Sequence, residues 1–165
     1  MKRISGPEVT AHRDYFERAA AIALDAECYQ ARCGSVIVKG GEIIGEGFNG
    51  PPLGKESNRT CGTTRDMSIK PKYDKTCCIH AEWRAILNAC KTKGDGIKGA
   101  TLYFMRINET GGFTDAGVPY CTCCSRLALE SGVSYFALWN NDGIDMYTTE
   151  EYDRASYAYS DFVVS

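Results

Sequence analysis

Apolar residues recur at helical spacing in two long stretches of the chain. Tyr15, Ala19, Ile22, Ala23 and Ala26 form one stripe, with Arg13, Glu17 and Arg18 on other faces. Thr10 is a capping residue type, so a helix is predicted from there to about Tyr29. The second stripe, Ala81, Ala85, Ile86, Ala89 and Cys90, predicts a helix from about Ile79 to Lys91, before Gly94. Gly34 breaks the first pattern. Beyond it, Ser35-Val36-Ile37-Val38 and Glu42 to Phe48 flank Lys39-Gly40-Gly41, which reads as a β-hairpin.

Thr101 to Met105 and Val133 to Trp139 read as further strands. Helices are predicted from Cys121 to about Glu130 and from Thr148 or Thr149 to about Tyr159, and Phe162-Val163-Val164 as a short closing strand. The order α-β-β-α-β-α-β-α-(β) is that of a layered α/β domain with a mixed sheet. Segment 49–77 is rich in turn formers and weak in periodicity, and a loop that long in a compact domain is usually functional.

The 165 residues predict a single domain over 1–165, able to bury a core without a disulfide. Hydrophobic content of 44% and charged content of 24% exclude a disordered or fibrous chain. The net charge of −2 argues against a dedicated duplex binder and disfavours a polynucleotide substrate. No apolar run approaches a membrane span, and the basic start Met1-Lys2-Arg3 has no apolar run behind it, so no membrane partner is expected. Nine cysteines, an odd number with adjacent pairs at 77–78 and 123–124, suit a reducing compartment better than a disulfide framework. The expected location is the cytoplasm.

Two local patterns carry chemistry. His80-Ala81-Glu82 opens the middle helix, and Pro119-Tyr120-Cys121-Thr122-Cys123-Cys124 opens the next. Two thiolates three apart in a first helical turn can point at one spot, and an imidazole from a neighbouring helix completes a three-ligand site. Three protein ligands leave a fourth tetrahedral position for water, which distinguishes a catalytic zinc from a closed structural one. Both helix N-termini would favour thiolate over thiol. Glu82, two residues after His80, suits a proton carrier better than a fourth ligand. A structural zinc or buried thiols would account for Cys-x-x-Cys alone, but His-x-Glu at a helix start weighs against both.

These motifs resemble the signature of the zinc-dependent cytidine and deoxycytidylate deaminases, His-x-Glu followed by Pro-Cys-x-x-Cys. Gly47-Phe48-Asn49-Gly50-Pro51-Pro52 is similar to the turn that precedes the zinc helix in deoxycytidylate deaminases. The resemblance, over roughly residues 10 to 140, implies a three-layer α/β/α cytidine-deaminase-like fold around a central mixed five-stranded sheet. It implies one catalytic zinc ion on His80, Cys121 and Cys124, with no second metal, and hydroxide attack on carbon 4 of a cytosine nucleotide. The implied reaction is dCMP to dUMP with release of ammonia, Glu82 carrying the protons. Asn49 would bond the sugar or base edge and the Ala81 backbone the base, with Gly50 and Phe48 beside them. A small-molecule nucleotide and a second copy of the chain, in a homo-oligomer, are the implied partners.

Three features depart from the family pattern. Tyr120 stands between Pro119 and Cys121, Arg84 stands where asparagine is common, and the loop 108–119 is long. Tyr120 and Phe113 are candidates to stack a base. Residues 55–75 carry six basic against three acidic side chains, and Arg65 is the candidate there for a phosphate. Cys28, Cys33, Cys77 and Cys90 read as small buried hydrophobes, and His12 as a surface or satisfied core residue. Deamination of another base or nucleotide (cytidine, dCTP, guanine, an RNA base) is the alternative reaction. A non-catalytic, zinc-stabilised nucleotide-binding module is the alternative from another class.

Overall fold

A computed structural model describes residues 1–60, 76 and 78–159. The strands are β1 (Lys2–Ile4), β2 (Arg32–Lys39), β3 (Glu42–Phe48), β4 (Thr101–Ile107), β5 (Phe113–Thr114), β6 (Tyr135–Asn140) and β7 (Gly143–Thr148). The helices are α1 (Thr10–Ala23), α2 (Ala81–Lys93), α3 (Thr122–Ser131) and α4 (Thr149–Ala158). Among the described residues the sheet has seven strands, in the order β1-β7-β6-β4-β2-β3, with β5 paired to β4. β4 and β6 are parallel and the other pairs antiparallel. The expected α/β architecture with a mixed sheet is present, and the sheet is wider than the five strands expected.

Strand alternation divides the core between the two faces. Ile37, Leu102, Phe104, Phe136 and Leu138 pack with Ala81, Ala85, Ala89 and Ala128 of α2 and α3 and with Tyr152 of α4. Val36, Val38, Tyr103, Met105, Ala137 and Trp139 pack on the other face with Phe16, Ala19, Ala20 and Ala23 of α1. Helix, sheet and helix therefore form three layers, with α1 the only α-helix on its side among the described residues.

Two glycines set how closely the layers approach. A β-carbon at Gly34 would run into the carbonyl oxygen of Ala19 in α1. Gly34 therefore lies within β2, passing under the helix, and does not end the preceding element. On the other face, a β-carbon at Gly47 would strike the Ala85 nitrogen and lie 2.5 Å from the Ala81 oxygen. Helix α2 thus rests on bare β3 backbone. Its Asn88 Oδ1 accepts from the Glu46 amide at 3.1 Å, and its Thr92 hydroxyl lies between the Asn88 carbonyl at 3.0 Å and the Ile44 carbonyl at 3.2 Å, so helix side chains approach the sheet edge.

Helix α1 ends at Ala23, short of the expected Tyr29. Leu24, Asp25 and Ala26 turn on with i−3 bonds, and then the Glu27 amide is drawn to the Asn49 carbonyl at 3.0 Å. The strands missing from the sequence expectation are short or hidden by a turn. β7 returns from β6 through Asn141 and Asp142, both at positive φ (45° and 54°), the geometry of a two-residue hairpin turn. α4 begins as expected, with a reciprocal cap between Thr148 and Glu151. The expected strand at Phe162-Val163-Val164 lies outside the described residues.

The long 108–119 segment is tied down at several points. Asn108 Oδ1 accepts from the amides of Thr110 and Gly112. The Asn140 side chain grips Gly117, accepting from its N–H at 2.8 Å and donating to its carbonyl at 2.9 Å. Phe113, a candidate to stack a base, instead packs edge-on against Trp139 on the α1 face, where strand alternation at β5 directs it. Among the described residues no helix is long and apolar enough to cross a membrane.

Two outcomes follow from this packing. Gly47→Ala must lift α2 off β3 and should cost about 1–3 kcal/mol, typical of overpacking, read as a lower urea midpoint together with lower zinc content. His12 shares a 2.7 Å hydrogen bond with the Tyr103 hydroxyl. Burial, then the Lys2 charge, push its pKa below the ordinary histidine value, against a weaker pull from Glu8. The unfolded chain therefore takes up this proton first, and the stability it contributes is lost as pH falls below about 6.5. Urea midpoints should fall across that window, and His12→Gln should flatten the fall.

Candidate metal centre and active site

Helices α2 and α3 begin side by side, and their first residues converge. His80 is the N-cap residue of α2, and its peptide is fixed by a bridge in which Gly50 and Ile79 exchange N–H···O bonds of 3.2 and 2.9 Å. Cys121 is the N-cap of α3, with its Sγ 3.4 Å from the Cys124 amide that donates to it. That contact turns the sulfur inward. His80 Nδ1 lies 3.1 Å from Cys124 Sγ and 3.5 Å from Cys121 Sγ. All three ligand atoms fall within 4.8 Å of one another.

The donor set fits zinc. With Zn–S near 2.3 Å and Zn–N near 2.0 Å, a tetrahedron sets N and S about 3.5 Å apart. The two N···S distances lie close to that, so small side-chain adjustments seat the ion. Cys123, which lies between the two cysteine ligands in sequence and could compete with them, is exposed and outside the cluster. His80 stacks on Trp83 at 5.2 Å between ring centroids and 24° between planes, which limits rotation of the imidazole. Trp83 went unnoticed in the sequence, although its i+3 spacing from His80 places it on the same helix face.

Electrostatics distinguish the two sulfurs. A hydrogen bond from Cys124 lowers the Cys121 pKa to about 4 against the opposing effect of burial, helped by the His80 imidazole. Burial and the neighbouring Cys121 push the Cys124 thiol up. Burial would lower the His80 value, but the Cys121 sulfur and the Glu82 carboxylate outweigh it and raise it. Glu82 falls on the apolar stripe of α2 between Ala81 and Ala85, and is only 6% exposed. Burial raises its pKa above the ordinary carboxylate value, with nearby His80 pulling the other way.

The residues expected around a substrate divide into groups. Asn49 is buried, with Oδ1 accepting from the Cys33 amide at 2.9 Å and Nδ2 donating to the Ala31 carbonyl at 2.8 Å. Half of its four hydrogen-bonding positions are thus spent on the start of β2. Ala81 is fully buried at the first turn of α2, beside the ligands. Gly50 belongs to the bridge beneath His80, and a β-carbon there would meet Glu27. Phe48 lies under the Arg84 guanidinium at 4.9 Å, and Arg84 donates to the Pro51 carbonyl at 2.6 Å. The unusual arginine thus binds α2 to the 48–52 turn. Tyr120 is half-exposed next to Cys121, with its ring 6.1 Å from that of Tyr159. Arg65, Cys61 and Cys77 lie outside the described residues. Cys33 and Cys78 are buried, Cys28 is half-buried, and Cys90, expected inside, is exposed on α2.

Residues 9–138 match the model of the cytidine and deoxycytidylate deaminase zinc-binding region. The chain belongs to this family. Among its relatives, the deoxycytidylate deaminase of Mycobacterium phage D29 is 28% identical over 121 residues, covering 70% of this chain and 83% of the relative. The deoxycytidylate deaminase of Saccharomyces cerevisiae is 30% identical over 124 residues, 73% of this chain and 35% of the relative. That of Schizosaccharomyces pombe is 33% identical over 78 residues, 46% of this chain and 24% of the relative. The chain thus matches most of the phage relative but only about a quarter to a third of the yeast ones. The crystal structure of dCMP deaminase from the cyanophage S-TIM5 in apo form shares the fold, with a TM-score of 0.54 at 23% identity, covering 80% of this chain and 82% of that one.

The Glu82 carboxylate, buried beside the three ligand atoms, is held at a cost to the fold. Since its folded-state pKa is raised, the penalty is complete at pH values above that pKa and fades as pH falls toward the ordinary carboxylate value. Glu82→Gln should therefore raise the melting temperature of chelator-treated protein at pH 8. The gain should shrink toward pH 5, and calorimetric melts across that range measure it.

Proposed function

We propose that this chain is a zinc-dependent hydrolase that deaminates a cytosine nucleotide, converting dCMP to dUMP with release of ammonia. The observation that carries the reading is the buried Glu82 carboxylate set beside the converging His80, Cys121 and Cys124 ligand atoms. A purely structural metal site has no use for a carboxylate kept in an apolar stripe beside it. The phage relative and the S-TIM5 structure in complex with dCMP and dUMP support the choice of substrate.

In this reading His80, Cys121 and Cys124 hold the zinc ion. Zinc bound there supplies a Lewis acid that makes water a nucleophile near neutral pH. Glu82 accepts a proton from the attacking water, places it on ring nitrogen 3, and delivers the next to the departing amino group. A raised pKa suits it to both halves of that transfer. Water adds at carbon 4, the C–N bond breaks, and ammonia leaves with the balancing protons. The remaining hydrogen-bonding positions of Asn49 and the Ala81 backbone meet the sugar and base. Gly50 and Phe48 shape the turn beside them, Tyr120 covers the ring, and Arg65 meets the phosphate.

A homo-oligomer belongs to the same reading. A reducing compartment, the cytoplasm, suits a site built from thiols.

Ammonia release by zinc-loaded protein tests the reading, on a panel of cytidine, deoxycytidine, their mono- and triphosphates, guanine, adenosine and a single-stranded oligonucleotide. Selective turnover of dCMP is expected. Glu82→Ala should keep its zinc and lose activity by about 10²-fold or more. Unchanged turnover in that variant would overturn the mechanism, and no turnover of any compound by zinc-loaded protein would point to a binding module.

A further inference from the structure

Arg106 lies on the sheet face that carries the metal centre. It lies at the end of β4, opposite Cys33 of β2. Leu102 and Phe104 face α2 and α3, and two-residue alternation sends Arg106 the same way. The guanidinium is therefore delivered to the face that carries the metal centre. It sits at the carboxyl end of the parallel pair β4 and β6, the end where open α/β sheets receive ligands.

Its surroundings leave it short of acceptors. The guanidinium lies against the buried Cys33 thiol, at best a weak acceptor, and near Tyr120, whose phenol burial keeps protonated against a small opposing pull from the Arg106 charge. Its Nε is shielded from solvent and meets no hydrogen-bond partner among the described residues. Two other arginines are spent on the fold: Arg84 on the Pro51 carbonyl and the Phe48 ring, Arg59 on Glu56 and the Glu27 carbonyl. A guanidinium only donates and keeps its charge at any working pH. A buried Nε–H of this kind, on the face that carries the ligand atoms and without an oxygen to meet among the described residues, is matched by an oxygen that arrives with the ligand.

We propose that Arg106 is a specificity-determining residue whose guanidinium donates to an acceptor oxygen of the bound nucleotide, on its phosphate or its base. This rests on reading the site as a nucleotide deaminase. A neutral side chain of similar length at position 106 would leave the metal centre intact and remove that contact.

The test compares wild type with Arg106→Met and Arg106→Lys, after zinc content and melting temperature have been measured for each. The kcat/KM for dCMP and for deoxycytidine is determined, with calorimetric affinity for dUMP and deoxyuridine. Arg106→Met is expected to lower kcat/KM for dCMP and affinity for dUMP by roughly 10- to 100-fold, the usual worth of a charged hydrogen bond. Zinc content should stay at the wild-type level, and Arg106→Lys should recover part of the loss. Loss confined to dCMP and dUMP assigns the oxygen to the phosphate; equal loss with the nucleosides assigns it to the base. Values within about twofold of wild type for all four compounds would overturn the proposal, as would a loss that follows zinc content and is not relieved by lysine. If the wild-type enzyme turns over neither substrate, the deaminase reading fails, and the dUMP and deoxyuridine affinities still decide the role of Arg106.

Discussion

The seating of α2 on bare strand backbone is the contact from which the rest of the site is built. With no side chain at Gly47, the helix lies directly on β3, and its first turn falls level with the start of α3. Two helix N-termini then point at one volume, and their unsatisfied N–H groups and partial positive charge favour sulfur anions there. The same seating brings Ala81 and Glu82 inside. A side chain of any size at that strand position would separate the histidine from the cysteines by moving one helix relative to the other.

The site departs from what stability alone would select. A carboxylate occupies a position in α2 that the helical pattern reserves for an apolar residue, and two sulfurs and an imidazole are packed within contact of one another. The surrounding fold supports this arrangement with rigid elements. Trp83 holds the imidazole plane, Arg84 ties the helix to the 48–52 turn, and the Gly50–Ile79 bridge fixes the peptide just before His80. Such supports keep side chains near their working geometry before a ligand arrives.

Much of this was readable from the chain itself. The period-3.6 stripes locate α1 and α2, the cysteine motif and the capping residues locate α3 and α4, and apolar runs between turn signals locate β2, β3, β4 and β6. The metal ligands were legible because chemistry demands fixed spacing on a helix. Other features depend on contacts distant in sequence. β1 is three residues long and has no period to detect. β7 is disguised by a tight turn of Asn141 and Asp142. Phe113 is aromatic and near the cysteines in sequence, but strand pairing turns it to the opposite face. Asn49 looks like a ligand-binding residue, and much of its amide is engaged by the backbone of residues 31 and 33. Arg106 reads as an ordinary charged residue until the pairing with β2 shows which way it points.

The approach of Asn88 and Thr92 to the edge of β3 bears on how copies of this chain can meet. An edge strand normally presents a row of open amides and carbonyls that a neighbouring chain can extend. Here the amide of Glu46 is already held by Asn88, and the Thr92 side chain sits against the carbonyl of Ile44. Sheet continuation is hindered along that stretch, and a neighbour on this side would meet the side chains of α2, exposed Leu87 among them.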